Sequence, residues 1–110
     1  YEAARRLLQE EGLPQDEVCI GHAALDNGEA LIEMMEGRHG QALQLEIRAI
    51  QRLEGIPITA TTQSLRLQAL INAARLCIRE GNETMAKEYL IVAEQLAAAG
   101  HSGWMAQVLQ

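Results

Sequence analysis

The chain has 110 residues, a formal net charge of −6 and 48% hydrophobic residues, but only 3% aromatic residues and no Phe. Ala (17 residues) and Leu (15 residues) supply most of the apolar content, and both favour helix over strand. This composition excludes a β-sandwich, a β-barrel and a disordered chain, and it predicts one all-helical domain. The acidic balance argues against direct nucleic-acid contact and against an anionic membrane as the main partner.

Compartment and chain ends can also be judged from the sequence. Cys19 and Cys77 are too few for a disulfide framework, which indicates reduced thiols in a cytoplasmic protein. We find neither a signal peptide nor an apolar run of the roughly 20 residues that a membrane span needs. Tyr1 falls inside an amphipathic pattern, and the last predicted helix stops after about two turns. We therefore expect a fragment of a longer protein.

The first half of the chain predicts three helices separated by glycines. Gly12 ends the first helix, and Asp16 is the expected N-cap of the second. The second helix places small and apolar residues on one seam, so that Met35 is an expected core residue: Val18, Gly21, Leu25, Gly28, Ile32 and Met35. One continuous helix is the favoured prediction, with a break at Asn27-Gly28 as the alternative. A third helix follows Gly37 and ends at Gly55.

The second half predicts two more helices and the start of a sixth. Residues 56–62 have a β-like composition without a partner strand, which indicates an extended linker. Ser64 or a nearby Thr should cap the fourth helix, whose expected core residues are Leu67, Leu70, Ile71, Ala74, Cys77 and Ile78. Asn82 should cap the fifth helix, Gly100 should end it, and a partial sixth should begin at Ser102. Short turns make successive helices antiparallel neighbours.

An internal repeat is the most informative feature of the sequence. Shifting the chain against itself by 44 residues brings several pairs of identical residues together, including six around one predicted turn. These six pairs are Ala30 with Ala74, Glu36 with Glu80, Gly37 with Gly81, Ala42 with Ala86, Ile47 with Ile91, and Ala49 with Ala93. Matches of this kind are typical of a helix-turn-helix repeat.

The better copy of this repeat resembles the tetratricopeptide (TPR) family. The resemblance is carried by Leu70, Ala73, Ala74, Cys77, Gly81, Ala86, Leu90 and Ala93. The length is similar to the long repeats of kinesin light chains and of maltose-regulator-like bacterial sensor domains. The resemblance implies an all-α fold in which antiparallel helix pairs form an α-solenoid. A partial repeat would lie at 1–12, repeats at 16–55 and 63–100, and the start of the next helix at 102–110. Asp26, Glu33 and Glu46 depart from the family by standing where it is usually apolar.

The resemblance also implies where a partner would bind. In this family the first helix of each repeat lines a concave groove, here through Gln68, Asn72, Arg75 and Arg79 of the later repeat. The corresponding face of the earlier repeat carries Asn27, Leu31 and Met34. Arginine offers a two-pronged donor for carboxylates, so the stripe suits acidic peptide segments. The alternative is a solvated polar face on which the arginines pair with Glu80 or Glu83.

These observations favour a protein–protein interaction module, a scaffold or adaptor that takes a peptide or helix of a partner into its groove. Two alternatives stay open, a ligand-sensing or regulatory domain of a bacterial signalling or transcription protein and a domain that self-associates through exposed repeat ends. Cys19 and His22 could both reach one metal ion, but no second pair of ligands stands near them. No phosphate loop or nucleophile motif is present. We therefore predict no enzyme, no cofactor and no metal site.

Overall fold

The structure is a computed structural model. It describes the backbone of residues 1–10 and 12–109, and the side chains of residues 1–9 and 12–99. Five helices follow one another: α1 (Glu2–Glu10), α2 (Gln15–Met35), α3 (His39–Leu53), α4 (Ala60–Arg79) and α5 (Glu83–Leu109). Because the described residues contain no strand, the all-α class is confirmed.

Several predicted helix boundaries need correction. The second helix is continuous through Asn27-Gly28, as favoured, but Pro14 is its N-cap residue and Asp16 lies in its first turn. Helix α4 begins at Ala60, so the linker is shorter than residues 56–62. The cap of α4 is Thr59, which exchanges hydrogen bonds with Thr62 in a capping box.

The predicted break at Gly100 is also wrong, because α5 continues to Leu109 and no separate sixth helix begins at Ser102. A glycine inside a helix costs about 1 kcal/mol relative to alanine, which is too little to end a helix by itself. The alanines at residues 97–99 and the Met, Ala and Gln at residues 105–107 are strong helix formers that offset that cost.

The two glycines that the repeat aligns make the same turn. Gly37 and Gly81 have φ values of 82° and 80°, a conformation that suits glycine. Gly37 N–H donates to the carbonyl of Met34 at 3.1 Å, and Gly81 N–H donates to that of Ile78 at 3.0 Å. In both turns the following N–H donates five residues back, at 2.8 Å. The α2–α3 and α4–α5 hairpins therefore close in the same way.

The helices pack mainly in chain order. Helix α1 packs on α2, α2 on α3, α3 on α4 and α4 on α5, and α2 also reaches α4. All six alanines of the repeat pattern are buried where helices meet: Ala30, Ala42, Ala49, Ala74, Ala86 and Ala93. Small side chains at these positions let neighbouring helices approach closely.

The predicted seam of α2 is not its buried face, and the two glycines of the seam contact α1 instead. Gly21 and Gly28 face α1, where a Cβ at either position would meet Leu8 or Tyr1. The buried face of α2 instead carries Ala23, Asp26, Asn27 and Ala30, together with His22. Met35 is 87% exposed rather than in the core. On α4, similarly, Ile71 and Ile78 are exposed while Ala69, Ala73 and Leu76 are buried.

Among the described residues, no helix is long and apolar enough to cross a bilayer.

Candidate functional site

A groove with a volume of about 420 Å³ runs between α2 and α4. Asn27 and Leu31 line it from α2, and Gln68, Asn72 and Arg75 line it from α4. These are five of the seven residues predicted to bind a partner. The remaining wall consists of Ser64, Leu67 and Ile71. We call this the amide groove, after the side-chain amides of Asn27, Gln68 and Asn72.

The amide groove continues along both helices into a neighbouring depression of about 490 Å³. The two depressions are adjacent, because Ser64 and Gln68 line both of them. The second depression is more apolar, with Ile20 and Ala24 on one side and Leu65 on the other. Helices α2 and α4 thus frame two adjacent depressions, of which the amide groove is the more polar.

The other two predicted residues lie elsewhere. Met34 packs against the buried cluster of Ala30, Ala42, Leu45 and Leu76. Arg79 lies in the last turn of α4, where its Nη1 lies 2.9 Å from Nε2 of His39. Because a guanidinium only donates, that His39 nitrogen is the acceptor. The structure therefore brings Arg75, but not Arg79, into the groove.

The three amides form a connected hydrogen-bond chain on the floor of the groove. With its nitrogen towards α4, Asn27 donates to Oε1 of Gln68 at 3.0 Å, and Asn72 Nδ2 lies 3.4 Å from Oδ1 of Asn27. Turned over, Asn27 places its nitrogen 2.9 and 3.0 Å from the two carboxyl oxygens of Glu46. The neighbouring donors and acceptors decide which orientation of the amide is stable.

Glu46 of α3 lies directly below these amides and is 0% exposed. The pKa of Glu46 is raised to about 8, mainly by burial and in part by the negative charge of Asp26, while a hydrogen bond from Asn72 opposes the shift. None of the ion pairs between described side chains involves Glu46. At neutral pH, Glu46 is therefore mostly a neutral carboxylic acid that can donate one hydrogen bond.

A second buried carboxyl group, Asp26, connects three helices. Its Oδ1 accepts from Arg5 of α1 at 2.6 Å, and its Oδ2 accepts from Arg52 of α3 at 2.7 Å. Asp26 is 0% exposed, and the same Arg5 nitrogen also lies 3.0 Å from Glu29. This carboxylate holds α1 and α3 against opposite sides of α2.

His22 borders the Asp26 cluster and is 7% exposed. Burial lowers the pKa of His22, and the positive charges of Arg52 and Arg5 lower it further. Arg5 Nη1 lies 3.3 Å from Nδ1 of His22, so that ring nitrogen is the acceptor. His22 is a neutral structural side chain rather than a free base.

Sequence reasoning identified most of the groove and missed what lies beneath it. Asp26 and Glu46 stood out only as polar residues at positions where the resembled family is apolar. That departure was a usable signal, because a carboxyl group on a core-facing position needs buried polar partners. The two arginines that bind Asp26 are far from it in the sequence: Arg5 is 21 residues away and Arg52 is 26 residues away. No local sequence pattern connects them to Asp26.

The described side chains offer no other obvious chemistry. They contain no group of three or more His, Cys, Asp or Glu residues that could hold a metal ion. Cys77 is buried next to Ala74 and Ala86, and burial raises its pKa. A buried thiol of this kind is inert.

No protein-family model, no curated protein and no solved structure matches the chain.

Proposed function

We propose that the chain is a protein–protein interaction module whose TPR-like helix pairs stack as part of an α-solenoid and bind an extended acidic peptide segment in the amide groove. The observation that carries this proposal is the convergence of Asn27, Gln68, Asn72 and Arg75 on one groove between α2 and α4. Amide side chains can bind the polar backbone of an extended peptide, and Arg75 can bind a carboxylate in a two-pronged geometry.

The charge distribution supports an acidic ligand. Arg75 is exposed, and none of the ion pairs between described side chains involves it. Glu33 and Glu36, by contrast, are both paired with Arg38 at the far end of α2. In a chain with a net charge of −6, a groove that carries an available guanidinium favours anionic over cationic segments.

The test uses an acetylated, amidated tetraglutamate peptide, with tetraglutamine and tetralysine peptides of the same length for comparison. We expect tetraglutamate to shift the NMR signals of the Gln68 and Asn72 side-chain amides and of the Arg75 guanidinium. Arg75→Glu should weaken this binding by about tenfold or more, because a charge-assisted hydrogen bond is replaced by repulsion.

Arg48→Glu is the matched control, since Arg48 is exposed on α3 outside the groove and the charge change is identical. It should leave the affinity nearly unchanged. Equal losses in the two variants would indicate a general charge effect and contradict a groove site. Absence of tetraglutamate binding at millimolar concentration would overturn the acidic-peptide proposal.

Self-association is a second candidate, favoured by one observation. A cleft of about 310 Å³ between α1 and α2 is lined only by apolar residues and glycine, with Leu7 56% exposed and Leu13 39% exposed beside it. Sedimentation velocity should then give an average mass that rises with concentration, and Leu7→Gln should reduce that rise. A monomer at every concentration would exclude this candidate.

A further inference from the structure

The buried acid Glu46 and the exposed amide Gln68 are connected through a single residue, Asn27. In either orientation of its amide, one terminal atom of Asn27 faces Gln68 and the other faces Glu46. Glu46 has no solvent contact, whereas Gln68 is exposed on the wall of the groove. A change at Glu46 therefore has a short, defined route to the surface where a ligand would bind.

One direction of this chain needs the proton of Glu46, and the other is the only one open to the ionised acid. A neutral Glu46 donates its O–H to Oδ1 of Asn27, so that Asn27 Nδ2 donates to Oε1 of Gln68, at 3.0 Å. The free group of Gln68 is then its NH₂. An ionised Glu46 can only accept, so Asn27 turns over and donates to it at 2.9 and 3.0 Å.

In the turned orientation, the oxygen of Asn27 faces the same terminal atom of Gln68 at 3.0 Å. That atom must then be the amide nitrogen of Gln68, because two oxygens cannot share a hydrogen bond without a proton. Gln68 is turned over as well, and its free group becomes the carbonyl oxygen. Asn72 donates to Glu46 alongside Asn27, so the ionised acid has donors at hand.

We propose that Glu46 controls the polarity of the amide groove: its proton turns the Asn27 and Gln68 amides so that Gln68 presents a donor, and loss of the proton makes Gln68 present an acceptor. An acidic ligand, which needs donors, selects the protonated form and is bound with proton uptake at Glu46. We call the coupled turning of the Asn27 and Gln68 amides the amide relay. The ligand part of this proposal rests on the proposed function, while the amide relay itself does not.

The charges around Glu46 agree with this direction. Asp26 of α2 is the charged group whose field acts on Glu46, and its charge favours the protonated acid. Arg5 of α1 and Arg52 of α3 are both held by Asp26. Helix α4 faces Glu46 with the neutral amide of Asn72. A carboxylate bound at Arg75 would add a second negative charge and favour the proton further.

The first test follows the ligand-free chain by ¹³C NMR from pH 5 to pH 10. The Glu46 carboxyl, the Asn27 carbonyl and the Gln68 carbonyl should titrate together near pH 8, where burial places the pKa of Glu46. The Gln63 amide, which donates to the Leu96 carbonyl at 2.9 Å on the other side of α4, is the internal control and should stay constant. Titration of Glu46 near 4.5, or a flat Gln68 signal while Glu46 titrates, would overturn the relay.

Two variants separate the steps of the relay. Glu46→Gln should abolish the titration of Asn27 and Gln68. Asn27→Ala should leave Glu46 titrating but make Gln68 independent of pH. If Gln68 still follows Glu46 in Asn27→Ala, the effect is a direct field and the proposed route is wrong.

The second test measures tetraglutamate affinity from pH 6.5 to pH 9.5, where the peptide carboxylates remain ionised. Affinity should fall by up to about tenfold per pH unit above the midpoint, the limit for one coupled proton. Glu46→Gln should remove the decline. An unchanged affinity across this range would refute proton uptake by the ligand complex. If no peptide binds while the amides titrate together, the proposed function fails and the relay stands.

Discussion

The α2–α3 and α4–α5 hairpins share a turn and a set of buried alanines, but they are filled with different side chains. At positions equivalent under the 44-residue shift, Asp26 and Glu46 of the first hairpin stand where the second carries Leu70 and Leu90. Asp26 and Glu46 are both 0% exposed, Leu70 is 4% exposed, and Leu90 is 44% exposed. The same backbone therefore accommodates buried acids in one copy and aliphatic side chains in the other.

This difference follows from what each hairpin contacts. The α2–α3 hairpin lies between α1 and α4, so its carboxyl groups can bind Arg5 on one side and the Asn72 amide on the other. The α4–α5 hairpin is held by an apolar cluster of Ala74, Cys77 and Ala86. The Asp26–Arg5 ion pair connects the first hairpin to α1, and the hydrogen bond between Glu46 and Asn72 connects it to α4. The amide groove lies above Glu46.

The largest expected effect comes from breaking the polar hairpin at Asp26. Asp26→Asn should destabilise the chain by about 3 kcal/mol, because it leaves Arg5 and Arg52 partly buried beside a neutral group. Urea unfolding followed by circular dichroism measures this change. Glu33→Gln, which breaks a more exposed pair with Arg38, is the control and should cost less than about 1 kcal/mol.

Replacing the whole cluster sharpens the comparison. When Asp26, Arg5 and Arg52 are all changed to Leu, the first hairpin resembles the second, and most of the stability lost in Asp26→Asn should return. A triple variant as unstable as Asp26→Asn would mean that the cluster contributes more than the burial of its charges.

The shared alanines give the next largest effect. Ala86→Leu and Ala30→Leu should each destabilise the chain by about 1–3 kcal/mol, because both positions are buried between helices and an added side chain overpacks them. Ala97→Leu, at an exposed position of α5, should change the free energy of unfolding little. An unchanged melting temperature in Ala86→Leu would contradict the repeat register.

The two hairpins were not equally predictable from the sequence. The helices up to α5 and the glycine turns were predicted from local patterns along the chain, and the alanine contacts from the 44-residue repeat. The buried face of α2 was assigned to the wrong residues, since Asp26 and Asn27 are polar and periodicity counts only apolar residues. The sequence prediction also placed Met35 in the core and Met34 in the groove, whereas Met34 packs against buried residues and Met35 is exposed. Residues along the groove could be named because the resemblance points to one face of the first helix of each repeat, whereas Glu46 comes from a third helix that no local spacing connects to them.

A smaller effect distinguishes the hairpins by pH. Burial raises the pKa of Glu46 from an ordinary value of 4.5 to about 8, so over this range the folded chain holds a proton that the unfolded chain has released. The stability gained from that proton is complete below about pH 4.5 and is lost as the pH rises to about 8. Between pH 7 and pH 9 the loss should be about 1 kcal/mol.

Glu46→Gln should remove this decline, because glutamine imitates the neutral acid at every pH. His22 acts in the opposite direction: its lowered pKa contributes stability above about pH 6.5 that is lost as the pH falls. Urea unfolding at pH 7 and pH 9 avoids the range of His22, and the difference between the native chain and Glu46→Gln separates Glu46 from Cys77, whose raised pKa acts in the same direction. An equal decline in Glu46→Gln would assign the effect to another group.

The smallest expected effects concern Gly21 and Gly28, where α2 contacts α1. The equivalent positions of α4 carry Leu65 and Asn72 instead. A Cβ at Gly28 would lie 2.7 Å from the Tyr1 hydroxyl, the far end of a 47% exposed side chain that can move away. Gly28→Ala should therefore stabilise the chain by up to about 1 kcal/mol through helix propensity.

Gly21→Ala provides the contrast within the same contact. A Cβ at Gly21 would lie 2.8 Å from both terminal carbons of Leu8, which is half-buried against α2 and has less room to move. The gain in helix propensity should be offset, so Gly21→Ala should be less stable than Gly28→Ala in thermal unfolding. If both variants gain equally, Leu8 is not held tightly against α2.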